Sequence, residues 1–199
     1  MRPSCWVAEF RLETARLVLR SWRAEDLAPF AAICADPVVM ATLGPVMDLE
    51  QSRALIERAR AREAEDGHTF WALERREDAR LIGWCGVIRG SAGPVAGKAE
   101  IGWRLAADCW GQGYASEAAR AVIALARTLG HRVLRAGHMI DNPASGRVLR
   151  KVGFRPTGEI RKRFSLARGR EVDSVEHRLE LADPSNCDGP TDRMFKHAA

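Results

Sequence analysis

The sequence predicts an α+β domain, a mixed and mostly antiparallel central sheet with helices on both faces. Three observations carry this expectation. Residues 68–106 hold three apolar runs separated by short polar links, as consecutive antiparallel strands require. Residues 113–130 place their apolar positions on one face at a period of 3.6. Beyond residue 130 the pattern alternates strand, helix and strand, so helices must lie against a sheet.

The elements follow in order. Residues 16–22 (RLVLRSW) set Leu17, Leu19 and Ser21 against Val18, Arg20 and Trp22, which is a strand. Leu27, Phe30, Ala31 and Cys34 recur at helical spacing, and Asp36-Pro37 breaks that helix. A second helix spans residues 48–65 and stops at the Asp66-Gly67 turn. Strands follow at 68–74, 80–89 and 98–106, with links 75–79 and 90–97 suited to hairpins. Ala115, Ala118, Ala119, Val122, Ile123, Ala126 and Leu129 trace the clearest helix, closed by Gly130. Next come a strand at 132–138, a short helix at 143–152 stopped by Gly153, a strand or loop from Phe154, and a last strand at 171–181. Residues 1–182 are expected to form one domain, and the Pro/Gly/Asp-rich residues 183–199 a flexible tail.

Composition narrows the function classes. With 199 residues, 46% hydrophobic and 29% charged, the chain suits one soluble domain. No apolar run approaches the roughly 18 residues that span a bilayer, and the N-terminus lacks a secretory apolar region, so no membrane partner and a cytoplasmic location are expected. Cys5, Cys34, Cys85, Cys109 and Cys187 are scattered, odd in number and without a CxxC pair, which predicts neither disulfides nor a metal site. The net charge of +5 is concentrated: residues 132–170 hold eleven Lys and Arg against Asp141 and Glu159. That field suits an anionic cofactor or a nucleic acid.

Trp110-Gly111-Gln112-Gly113-Tyr114-Ala115 lies between a strand and the strongest helix. Glycines there let the backbone approach a ligand, and the free amides of the first helical turn suit a pyrophosphate. The alternative is a turn that only redirects the chain. A P-loop would need Gly-Lys-Ser/Thr, and a Rossmann fingerprint would need Gly or Ala where Ser116 stands.

Ala99-Glu100-Ile101-Gly102-Trp103 followed by Trp110 to Ala118 resembles the RimJ/RimL-like branch of the GNAT N-acetyltransferases. The family's loop reads Gln/Arg-x-x-Gly-x-Gly/Ala; Gly113 and Ala115 match, while Trp110 takes the first position. Asn142-Pro143-Ala144-Ser145 with Lys151 and Gly153-Phe154 is similar to a second family segment, and the opening residues 13–20 are typical of the branch. The resemblance covers roughly residues 12–181. It implies a GNAT-like sheet, acetyl-CoA as co-substrate without a metal, and direct attack of an amine on the thioester. The acceptor it implies is a protein N-terminal α-amine or a small amine, and homodimers occur in the family.

The resemblance also implies site residues. Trp103 and Leu105 would offer backbone groups to pantetheine, Trp110, Gly111, Gln112, Gly113, Tyr114 and Ala115 would hold the pyrophosphate, and Asn142, Ser145 and Arg150 would complete the cofactor site. Glu100 is the candidate base; the alternative is a solvated or salt-bridged strand glutamate. Many GNAT enzymes protonate the thiolate with a tyrosine where this chain has Leu149, and Ser145 is the candidate replacement, the alternative being a helix cap. Arg147, Arg150 and Lys151 suit the adenosine phosphates. The histidines His68, His131, His138 and His177 lack local partners and are expected to be structural, Cys109 a small buried residue, and Trp71, Trp84 and Trp103 core or pocket walls. The different-class alternative is a non-catalytic coenzyme A-binding or nucleic-acid-binding module, and the lack of any RNA-binding motif disfavours nucleic acid.

Overall fold

A computed structural model describes residues 9–90, 97–165 and 167–181. The tail expected from residue 183 and most of the 90–97 link lie outside the described residues. Strands β1 (Arg11–Glu13) and β2 (Leu17–Arg20) lead into helices α1 (Leu27–Ala35), α2 (Pro37–Met40) and α3 (Leu49–Asp66). Strands β3 (Phe70–Arg75), β4 (Arg80–Arg89) and β5 (Ala99–Leu105) precede helix α4 (Tyr114–Thr128). Strand β6 (Val133–Met139), helix α5 (Pro143–Lys151) and strands β7 (Arg155–Ser165) and β8 (Arg170–Glu180) complete the order.

Local chemistry sets these boundaries. Asp48 accepts from the Gln51 amide while the Gln51 side chain returns to the Asp48 amide, and this capping box starts α3. Asp36-Pro37 ends α1 as expected, but it also starts α2, because the Asp36 carboxylate caps the Val38 amide and proline suits the first helical position. Strand β1 is too short to show a period. Strand β7 is an edge strand with nearly every residue exposed, so it carries no inward apolar stripe to distinguish it from a loop.

The eight strands run in the order β1-β2-β3-β4-β5-β6-β8-β7. All neighbours are antiparallel except β5 and β6, whose parallel pairing registers at Glu100 and Arg135 alone. Alternation then sorts side chains to two faces. Trp71, Leu73, Ile101 and Leu105 pack with Ala118, Val122 and Leu149 under α4 and α5. Ala72 and Leu81 pack with Phe30, Cys34 and Ile56 under α1 and α3. Val122 and Leu134 are fully buried, each contributing about 1.5–3 kcal/mol. Among the described residues no helix is long and apolar enough to cross a membrane.

One ionic cluster fastens α1 to the sheet. The Arg20 guanidinium, 4% exposed, donates two bonds to Asp26 at 2.7 and 2.8 Å and one to Glu74 at 2.8 Å. Asp26 also accepts from the Arg23 amide at the turn before α1. Removing one member leaves uncompensated buried charge. Arg20→Ala is therefore expected to cost about 3–5 kcal/mol in urea unfolding, with Arg20→Lys falling between it and the parent because lysine lacks the fork. A loss under about 0.5 kcal/mol for Arg20→Ala would contradict this account.

Candidate active site

Beyond Glu100 the parallel pair diverges, and the opening is a cleft of about 560 Å³. Trp103, Arg104 and Leu105 of β5 line one side, and residues of the α5 N-terminus, including Asn142 and Ser145, line the other. Gly111, Gly113, Tyr114, Ala115 and Ser116 close its end.

The loop before α4 is built to present backbone. Gly113, the residue at the helix start, has φ of 83°, a left-handed conformation that costs other residues roughly 1–2 kcal/mol. Helices α3 and α5 are capped by Asp48 and Asn142, whereas no side chain caps α4. Its first-turn amides and positive dipole end are left for an anion. A brace holds the loop from outside: Arg16 donates to the Gln112 carbonyl at 3.1 Å and to Glu117 at 2.7 Å, and Thr14 donates to Glu117 at 2.7 Å. Burial raises the Glu117 carboxyl, but the bonds from Thr14 and Arg16 outweigh it and hold the group below its usual range.

Several sequence-predicted residues take specific places. Trp110 is half exposed and its indole donates to the Leu105 carbonyl at 2.9 Å, so that carbonyl already has a partner. Gln112 is not a cleft wall, because its side chain turns back to the Asp108 carbonyl at 2.8 Å. Tyr114 lines the cleft, but its ring is buried beneath the Arg16 guanidinium at 4.6 Å. Arg150 is not among the cleft walls, where Arg147 and Lys151 flank the opening instead, and its positive charge reaches His177 of β8. The Asn142 carboxamide accepts from the Ser145 amide at 3.2 Å and donates to the Thr42 hydroxyl at 2.9 Å, joining α5 to the segment after α2. Leu149 is 1% exposed.

A second cavity of about 320 Å³ adjoins the first, and the two share Thr42, Leu43, Trp103, Asn142 and Ser145 as walls. It contains Glu100, with Phe70 and Trp84 stacked at 4.2 Å. Gly102 makes room there: a Cβ would lie 3.2 Å from the Phe70 ring and 3.3 Å from Trp84. His138, Arg163 and Ser174 line the far side. Arg163 pairs with the buried Glu176 at 2.9 Å. Burial pushes the Glu100 carboxyl above its ordinary range; the Arg163 charge pulls it back in part, and Glu176 pushes it up again.

His138, Arg163, Ser174 and Thr42 were not singled out as site residues from the sequence. His138 lies in the cavity wall, its Nδ1 bonded to the Met139 carbonyl at 2.9 Å, rather than in the core. One signal was available: Ser174 and Glu176 recur with Val172 at period two, a polar stripe on the buried face of β8. Trp84 and Trp103 are cavity walls, and Trp71 and Cys109 are buried.

The profile of the Acetyltransferase (GNAT) domain matches residues 16–155. The chain belongs to the GNAT family. It is 33% identical over 154 residues to the uncharacterized N-acetyltransferase YoaA of Bacillus subtilis strain 168, covering 76% of this chain and 86% of the relative. Its fold is similar to that of a GNAT acetyltransferase from Bacillus anthracis, with a TM-score of 0.74 and 21% identity over 86% of this chain and 98% of that one. It is equally similar, at 17% identity and the same coverages and TM-score, to RimL, a ribosomal-protein α-N-acetyltransferase solved with coenzyme A. As a GNAT protein the chain is an acetyl-CoA-dependent acetyltransferase.

The Gly113 conformation supplies a test of the loop. Gly113→Val is expected to weaken acetyl-CoA binding in calorimetry at least about tenfold, while unfolding shifts by only the roughly 1–2 kcal/mol of backbone strain. Unchanged affinity would remove the loop from the cofactor site.

Proposed function

We propose that the enzyme acetylates a primary amine by direct attack, with Glu100 as base and Ser145 beside the leaving thiolate. One observation carries this reading: the cofactor cleft and the Glu100 cavity meet at Trp103, Asn142 and Ser145. Acetyl-CoA entering from the α4 and α5 side would place its thioester at that junction, and an amine in the second cavity would reach it from the opposite side.

The protons and electrons then balance. The ammonium form of the acceptor loses a proton to Glu100, directly or through water. The nitrogen lone pair attacks the thioester carbonyl, a C–N bond forms, the C–S bond breaks, and the second proton that the nitrogen sheds goes to the departing thiolate, through water or the Ser145 hydroxyl. Backbone groups of β5 beyond Glu100 have no registered partner on β6 and are available to the thioester oxygen. A carboxylate with a raised pKa is a better-matched base than an exposed one. Trp110, Gly111, Gly113 and Ala115 are assigned to the pyrophosphate, Arg147 and Lys151 to the outer phosphates, and Asn142 to holding α5 in place. Acetyl transfer displaces the non-catalytic alternatives.

For the acceptor, the RimJ/RimL-like motifs favour an α-amine, whether of a protein N-terminus or a small molecule. RimL itself acts on a ribosomal protein α-amine. Chemistry points the same way. An α-amine near pKa 8 is about one-tenth neutral at pH 7, whereas lysine near 10.4 is under about one-thousandth neutral. A single partly buried carboxylate suffices for the former.

Calorimetry with acetyl-CoA and thiol release over a panel of amines test the reaction. Glu100→Gln is expected to lower turnover roughly 10²-fold and to abolish the acid limb of the pH–rate profile, which in the parent rises as Glu100 ionises. The same substitution should raise stability at pH 7. A carboxyl whose folded pKa is raised contributes stability below its unfolded value and loses it as pH climbs through the folded one, and glutamine removes that loss. A profile identical to the parent's would leave Glu100 a structural carboxylate.

A further inference from the structure

Arg104 is the cation that the proposed reaction leaves unused. It lies on β5 four residues beyond Glu100 and two beyond Gly102, on the same face of the strand. The residue borders the cofactor cleft, and its guanidinium packs against Trp84, a wall of the adjoining Glu100 cavity. Among the described residues no carboxylate lies within ion-pair distance of it. Nη1 donates to the Cys34 sulfur at 3.0 Å, with the Met47 sulfur at 4.0 Å, and the guanidinium carbon sits 5.7 Å from the Trp84 ring centroid. Nε is buried without any partner. Sulfur is a weak acceptor and an aromatic face does not use the in-plane donors, so the fork is under-satisfied. Arg20, in contrast, spends its fork on two carboxylates.

Arg104 borders the same cleft as the phosphate loop, but its guanidinium turns to the other face of the sheet. Cys34, Met47 and Trp84 all pack in the cluster beneath α1 and α3, whereas the loop and α4 lie across the sheet. The strip along this face of β5 therefore reads carboxylate, glycine gap over the Phe70 and Trp84 rings, then guanidinium. At the Glu100 end the Arg163 charge is already spent on Glu176, whereas the Arg104 guanidinium at the other end has no carboxylate partner among the described residues and is free to attract an anion.

We infer that the acceptor is an amine that carries a second, anionic group, a carboxylate or a phosphate, and that Arg104 receives that group. The inference rests on the proposed function, since the amine must lie at the Glu100 end. The strip also sets a length. Four strand residues span about 13 Å between α-carbons. After the two side chains reach inward, amine and anion remain several bonds apart. A dipeptide or a longer amino acid fits this separation, and a free α-amino acid, with one carbon between the groups, does not.

The experiment compares glycylglycine, glycylglycinamide, glycine and 2-aminoethyl phosphate by thiol release, at equal concentrations of neutral amine. The parent is expected to favour glycylglycine over its amide by roughly tenfold or more in kcat/KM, mostly through KM, as a charge-assisted pair would give. In Arg104→Gln that ratio should fall below about two, and Arg104→Lys, which keeps the charge without the fork, should retain part of it. The phosphate ester ranking above glycylglycine would name phosphate as the anion, and the reverse a carboxylate. Equal use of acid and amide by the parent overturns the inference without any variant, as does a full ratio in Arg104→Gln. Weaker acetyl-CoA binding in Arg104→Gln with the ratio intact would assign Arg104 to the cofactor instead. Calorimetric binding of N-acetylglycylglycine against its amide reads the anion without turnover. A preference there with no thiol release would sink the acetyl-transfer mechanism while supporting the anion site, and release without any preference would do the opposite.

Discussion

Two parallel strands that cease to be paired are the constraint on which the molecule depends. Strands β5 and β6 meet at Glu100 and Arg135 and then separate in the middle of an eight-stranded sheet. Interior backbone without a partner is costly, so such a gap persists only where water or a ligand can reach it. The neighbours hold the gap open. Strand β5 is registered to β4 along all seven residues, and β6 to β8 along all seven. Each half of the sheet is thus fixed by its own antiparallel partner, and the seam between them is free to bind.

The seam also divides the chemistry between two faces. On the α4 and α5 side an uncapped helix end, Arg147 and Lys151 face the cleft and suit a polyanionic cofactor. On the other side the charges alternate, with Glu100 and Glu176 answered by Arg163, and Arg104, farther along β5, sets its guanidinium against Trp84. A field of one sign recruits a phosphate-rich ligand, whereas a field of alternating sign orients a small one. The Asn142 to Thr42 bond crosses where the two cavities meet, so the wall between donor and acceptor is one hydrogen-bonded unit.

What was legible in the sequence follows from how local each determinant is. The long α4 helix, the β4 strand and the glycine loop declare themselves within a dozen residues, through periodicity and turn chemistry. Glu100 was legible as a strand position, but its pKa is raised first by burial, with Arg163 opposing and Glu176 adding to the shift, and that environment is assembled only through the pairing of β6 with β8 and β8 with β7. His138 read as structural for the same reason, since its surroundings are assembled from distant segments. Which of Arg147, Arg150 and Lys151 border the cleft turns on the rotation of a short helix, a detail that charge spacing does not fix. The Gln112 side chain turns to a nearer carbonyl within a tight loop, a choice that sequence spacing does not announce.

The placement of Leu149 where many relatives have a tyrosine shifts the burden of catalysis rather than removing it. Leu149 is buried and has no proton to give, and Tyr114 is committed to the core beneath Arg16. A thiol has a pKa near 8.5, so an expelled thiolate lies only about 1.5 units from neutrality at pH 7 and can take its proton from water or from a hydroxyl such as Ser145. An ammonium must lose its proton before it can attack at all. With Glu100 buried in the acceptor cavity and no acidic tyrosine at the thiolate, the demanding proton transfer is therefore the one at the acceptor nitrogen, which is where the burial of Glu100 acts.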